Sequence, residues 1–463
     1  MAALPSVAAI VNGANLDPKT DPKSRPSLNN SPIYPQLKGT TNVARSWRKS
    51  SPSSSDKTPW STACWLRPRV VVLPRSAQQV GPTLSLCRFF SIKFSIHGGG
   101  HSPSIGWNSN DGGVVISLAA FDQVNLSEDK LTADIGVGLR WLDVYKALGH
   151  YDLVVAGGRF PMVGVSGLLL EGELSFRHGV DGIGAMGCLT MRYVVLANAE
   201  IVNANAKQNS DLCWALKGGG SSFGIVTKID MKTVPAKVWS EAKVYAPSVM
   251  PELLQALMKH HEAIERDEKS SLILTCNNQD TMLVSFYCDP QLLGVLPRGV
   301  YSAYELLGVI EGLAVPRHEN ANYQSHDFRT MSSQPSLEVY ETAERVRVEQ
   351  CDLLSYVEGL RISNVIQPMS SISIKQSRRV GGNLLGLEEV GQQWFLAMAD
   401  WNNPADGDRV RQAMRHIVDA AEATAKANGT YLPYQYCNYA SPDQDPLASY
   451  GAEDLERLRE IAS

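Results

Sequence analysis

Four glycine-rich runs lie between residues 97 and 226: HGGGH (97–101), GGRFPMVGVSG (157–167), EGELSFRHG (171–179) and KGGGSSFGIV (217–226). Glycine weakens regular elements but lets backbone N–H groups crowd round an anion. A single such run reads as a plain turn. Several in one domain fit a large dianionic cofactor lying across it, and a dinucleotide meets that demand. None of the runs is a G-x-x-x-x-G-K-[ST] loop. None is a G-x-G-x-x-G between a strand and a helix with a later acidic residue. A nicotinamide Rossmann fold and a kinase-like fold are therefore disfavoured. His101 stands at the exit of Gly98, Gly99 and Gly100. It reads either as a satisfied loop histidine or as a nucleophilic ring meeting whatever docks on the glycines.

Around these runs, apolar periodicity predicts strands at 70–74, 93–96, 114–118, 131–137, 153–158 and 223–234, and a hairpin over 193–204. Helices are expected from Ser76 to about Phe90, over 139–149 and over 211–220. Residues 1–60, rich in Pro, Ser, Asn and Lys, read as a disordered tail. The result is a mixed α+β domain over 61–237. In 238–429, strands at 272–276, 281–288 and 393–401 and helices at 251–267, 337–347 and 406–428 predict an antiparallel sheet covered by helices. This half is the natural place for a substrate pocket.

The chain has 463 residues, 44% hydrophobic and 19% charged, with a net charge of −4. That length calls for more than one core. The balanced charge, with no basic block, disfavours nucleic-acid and anionic-membrane partners. The eight cysteines form no C-x-x-C pair, so neither zinc nor a disulfide frame is indicated. His260, His261 and His416 lack carboxylates at metal-ligand spacing, and no metal is expected. The first residues lack a basic n-region, so the expectation is no signal peptide and a cytoplasmic protein.

WLRPRVVVLPRSAQQV, FSIHGGGHSP, DGGVVISL, VGVSGLLLEGELSF, VVLANAEIVNANA and DLCWALKGGGSSFGIVTKIDMKT together resemble the FAD-binding PCMH-type domain of the vanillyl-alcohol oxidase superfamily. More narrowly, they resemble the berberine-bridge-enzyme-like branch found in fungal secondary metabolism. GGNLLGLE (381–388) and PYQYCNYASPDQDPLASYG (433–451) are similar to family motifs in the second half. The resemblance implies a two-subdomain FAD-binding domain over 61–237, completed by 430–463, and a substrate domain over 238–429.

It further implies that His101 carries FAD covalently, with Gly98, Gly99, Gly100 and Ser102 at the pyrophosphate. Gly164, Gly167, Ile201, Val202, Gly224, Val226 and Asn438 are implied as further cofactor contacts. Phe160 stands where some members place a second, cysteine link, so that link is not expected. Tyr436 is implied as the catalytic base, helped by Tyr434 or Lys375, because a phenol is a poor base at its usual pKa of about 10. Core packing is the other reading of this tyrosine run. The implied reaction is hydride transfer from a small molecule, a polyketide or alkaloid intermediate, to FAD, with molecular oxygen as the final acceptor. A carbohydrate oxidase and a non-catalytic ligand-binding paralogue stand as alternatives. Glu171 and Glu173 replace family glycines. Either both carboxylates point to solvent, or they impair flavin binding.

Overall fold

The computed structural model describes residues 59–289, 300–302 and 324–462; most of the expected tail lies outside them. The first half contains β1 (Val70–Val72), α1 (Ala77–Phe89), β2 (Phe94–His97), β3 (Val114–Ser117), β4 (Val124–Leu126), β5 (Thr132–Gly136), α2 (Trp141–Gly149) and β6 (Leu153–Val155). It continues with α3 (Val165–Leu170), α4 (His178–Asp181), β7 (Cys188–Val195), β8 (Ile201–Asn205), α5 (Ser210–Ala215) and β9 (Lys228–Pro235). Two sheets result. β1, β3 and β2 pair in parallel. A second, antiparallel sheet runs β4-β5-β9-β7-β8, with β6 also on β9. Ser76 stands at the N-cap of α1, as expected, but its side chain makes no cap bond. The Gln79 side chain accepts from the Arg75 backbone instead, at 2.7 Å.

The second half contains β10 (Lys237–Tyr245), α6 (Met250–Ile264), β11 (Ser270–Cys276), β12 (Thr281–Tyr287), β13 (Val300–Ser302), β14 (Ser325–Ser333), α7 (Leu337–Leu353) and β15 (Arg361–Met369). Then follow α8 (Ser371–Arg379), β16 (Gln392–Trp401), α9 (Gly407–Ala427), β17 (Tyr431–Leu432) and α10 (Ala452–Ala462). One eight-stranded antiparallel sheet runs β13-β10-β12-β11-β15-β16-β14-β17.

Side chains alternate across each strand, and that alternation builds the site. On one face Leu274, Ile362, Phe395, Ala397 and Trp401 pack with Leu254, Val339 and Ile417 of α6, α7 and α9. The other face carries Ile273, Arg361, Val365, Leu396, Met398 and Asp400 and looks onto a cavity.

After β17 the chain returns to the first half. Asn438 Nδ2 donates to the Leu168 and Glu171 carbonyls at 3.2 and 3.1 Å. The Tyr450 hydroxyl donates to Gly218 O at 3.1 Å. Arg457 of α10 lies over the Trp214 ring and reaches Asp211.

Candidate functional site

The cavity has a volume of about 2530 Å³. A drug-sized ligand site is typically about 300–1,000 Å³, so a dinucleotide and a substrate fit together. One wall is backbone. β2 delivers Gly98–Gly100 beside the loop ahead of α3, so tightly that a Cβ on Gly99 would sit 2.4 Å from Gly164 Cα. At this crossing the two glycines are required by each other. Gly167 differs: it lines the cavity, and a Cβ there would meet no protein atom within 4 Å.

Gly98, Gly99, Gly100, His101, Ser102, Gly164, Gly167, Gly224, Val226 and Asn438 all line the cavity. Ile201 and Val202 do not. They lie on β8, the edge strand opposite Val195 and Val194, and pack against the core of the first half. The hairpin motif carries a strand there, but the strand sits outside the cavity.

His101 lies on this wall with its Nε2 buried and without a hydrogen-bond partner. Burial, together with the influence of His326 and Arg140, pushes its pKa down to about 3, so the imidazole is neutral. Trp60 stacks on it at 4.3 Å and on His326 at 3.6 Å. Arg140 adds a cation to the glycine wall, its Nη2 3.5 Å from Gly99 O and its Nε buried without a partner. The sequence reading missed Arg140, which in the sequence reads only as the start of α2.

Glu171 lines the cavity near Gly220, and Glu173 is 2% exposed. Glu173 therefore does not point to solvent, while the half-buried Glu171 faces the cavity. Burial raises their pKa values to about 7 and about 8. Near neutral pH both carboxyls hold much of their proton, which relieves the charge conflict with a diphosphate.

The tyrosines divide. Tyr436 lines the cavity; Tyr434 does not. Tyr434 packs on Trp394 and Tyr450 with its hydroxyl unpartnered. Burial pushes both phenols well above their ordinary range. The cation acting on Tyr436 is Arg159, not Lys375. The Tyr436 oxygen accepts from Asn438 Nδ2 at 3.2 Å. Tyr436 thus reaches the cavity with its phenol held protonated by burial, whereas Tyr434 lies outside the cavity lining. Arg159 also donates to Gln367 and, at 3.2 Å, to the Tyr439 hydroxyl.

Residues that fit FAD are therefore present: an open glycine cradle at Gly167, a neutral unpartnered imidazole at His101 and a cation at Arg140. Fold and site define a flavin-dependent oxidoreductase. Residues 68–205 match the model of the FAD binding domain family. An FAD-dependent monooxygenase of Arthrobotrys oligospora is 33% identical over 414 residues, covering 87% of this chain and 80% of that protein. The bifunctional solanapyrone synthase of Alternaria solani is 29% identical, over 87% and 80%. Glucooligosaccharide oxidase from Acremonium strictum, which carries a 6-S-cysteinyl, 8α-N1-histidyl FAD, superposes with a TM-score of 0.68 at 20% identity, over 89% and 93%. The chain belongs to the FAD-dependent monooxygenase family with this FAD binding domain.

Proposed function

We propose that the protein holds FAD covalently through His101 and oxidises a small hydroxyl-bearing organic molecule, a polyketide or alkaloid intermediate, with molecular oxygen as final acceptor. The observation that carries this reading is the neutral, unpartnered imidazole at the exit of the glycine loop, on the cavity wall. A histidyl-linked flavin in a relative of the same fold supports it. Phe160 packs edge-on to His101 at 5.9 Å, so a single link is expected. Bound here, FAD supplies a two-electron acceptor for the substrate's hydride. Gly167 leaves it room, and Arg140 offsets diphosphate charge. The opposite wall presents Ile273, Val365, Leu396 and Met398, which suit an apolar carbon skeleton better than a sugar. The solanapyrone synthase relative supports that substrate class.

The test is acid precipitation of the purified protein. Yellow colour should stay with the wild-type pellet and pass to the supernatant for His101→Ala. A folded but colourless wild type overturns the reading.

A further inference from the structure

β14, β16 and β15 are neighbours, and their register sets His326 opposite Asp400, and Asp400 opposite Arg361. All three residues line the cavity. His326 Nδ1 lies 2.6 Å from Asp400 Oδ1, while Arg361 Nε and Nη2 donate to Asp400 Oδ2 at 2.9 and 2.7 Å. Burial alone would raise the Asp400 carboxyl; the His326 hydrogen bond and the Arg361 charge outweigh it and hold it below the usual range. A carboxylate only accepts, so Nδ1 carries a proton, and in the neutral tautomer of the ring the lone pair is on Nε2. That nitrogen is buried without a partner. The strap at Ser61 fixes the strand: His326 N donates to Ser61 Oγ at 2.9 Å, and Trp60 covers the ring's face. The groups facing His326 are Asp400, Arg361 and, across Trp60, His101. Asp327 turns to Arg411 on α9.

We propose that His326, oriented by Asp400 and Arg361, is the base that takes the substrate's hydroxyl proton. This inference rests on the oxidase reading above. The O–H bond breaks and an Nε2–H bond forms, leaving an imidazolium against Asp400. FAD, when bound, would supply the acceptor for the hydride of the adjacent C–H, so that the pair left on oxygen could close the C=O bond. Asp400 and Arg361 act as positioning residues, as an aspartate orients a catalytic histidine in hydrolases.

The probe is 4-nitrophenol, a hydroxyl whose ionisation is visible, titrated into the purified holoenzyme across pH. Proton transfer to His326 should lower the apparent pKa of the bound phenol by about one unit, about tenfold in the ionised fraction. His326→Gln should abolish the shift while keeping its flavin. Asp400→Asn, which no longer enforces the Nδ1–H tautomer, should diminish it. Equal ionisation in wild type and His326→Gln, or no binding of 4-nitrophenol, overturns the proposal. Should His326→Gln fail to fold, an undiminished shift in Asp400→Asn overturns it. The flavin band of the same samples reports separately on the oxidase reading: a flavin-free protein that still ionises the phenol sinks that reading and leaves the base in place.

Discussion

The two walls of the cavity are built from opposite materials. The wall from the first half is largely backbone, where Gly99 and Gly164 touch and Gly167 faces open space, with His101 and Arg140 set into it. The wall from the eight-stranded sheet is side chains, apolar at Val365, Leu396 and Met398 and charged at Arg361 and Asp400. The first can shape itself round a cofactor common to many enzymes. On the proposed reading, the second would set what is oxidised and where its proton goes. Cofactor and substrate would then be held by elements whose sequences obey different rules.

Substitutions can break this contrast. The largest effect is expected from Gly164→Val, whose Cβ would lie 2.6 Å from Gly99 Cα, a backbone atom. A loss above about 4 kcal/mol is expected, read as insoluble or flavin-free protein. A soluble yellow variant would remove the claim that the two loops require each other. Next is Asp400→Ala on the other wall. It strands Arg361 and His326 and should cost about 3 kcal/mol in urea unfolding, with flavin content unchanged. Loss of flavin alongside stability would mean that the walls are not independent.

A smaller effect depends on pH. The folded protein keeps protons on Glu171 and Glu173, at about 7 and about 8, that the unfolded chain releases above 4.5. Their contribution to stability therefore falls as pH rises from about 4.5 to about 8. His101 and His178, both lowered to about 3, act the other way, adding stability as pH rises from about 3 to 6.5. Glu173→Gln should match wild type at pH 4 and exceed it by about 1–3 kcal/mol at pH 8.5. Equal melting temperatures at both pH values would refute the buried, protonated carboxyl. The smallest change in stability is expected for Gly167→Leu, within about 1 kcal/mol, because no protein atom is displaced. Its flavin content should nevertheless fall at least about tenfold. Full flavin retention would show that the cradle is not where FAD lies.

The first wall was legible because a glycine run is a local statement about space. Gly98, Gly99, Gly100, His101, Gly164, Gly167, Gly224 and Val226, all singled out in the sequence, line the cavity. Ile201 and Val202 instead lie on the edge strand β8, outside the cavity lining, because a strand motif does not say which edge of a sheet it occupies. The second wall was only half legible: β11, β12 and β16 lie where strands were expected, at 272–276, 281–288 and 393–401, but β14 and β15 were missed. β15 is a central strand with Pro368 near its end, a signal against strand. SHDFRTMSS in β14 is too polar to suggest one.

The sequence by itself determined the cofactor half, its glycine cradle and the histidine at its exit, because tight backbone approach permits almost no residue but glycine. Only the tertiary structure decided that His326 meets Asp400 across 74 residues of chain and that Arg361 meets Asp400 across 39. It alone also placed Glu173 away from water, turned Glu171 to the cavity and took Tyr434 out of it. Those outcomes follow from strand register and burial, which join residues through space and leave no local trace in the chain.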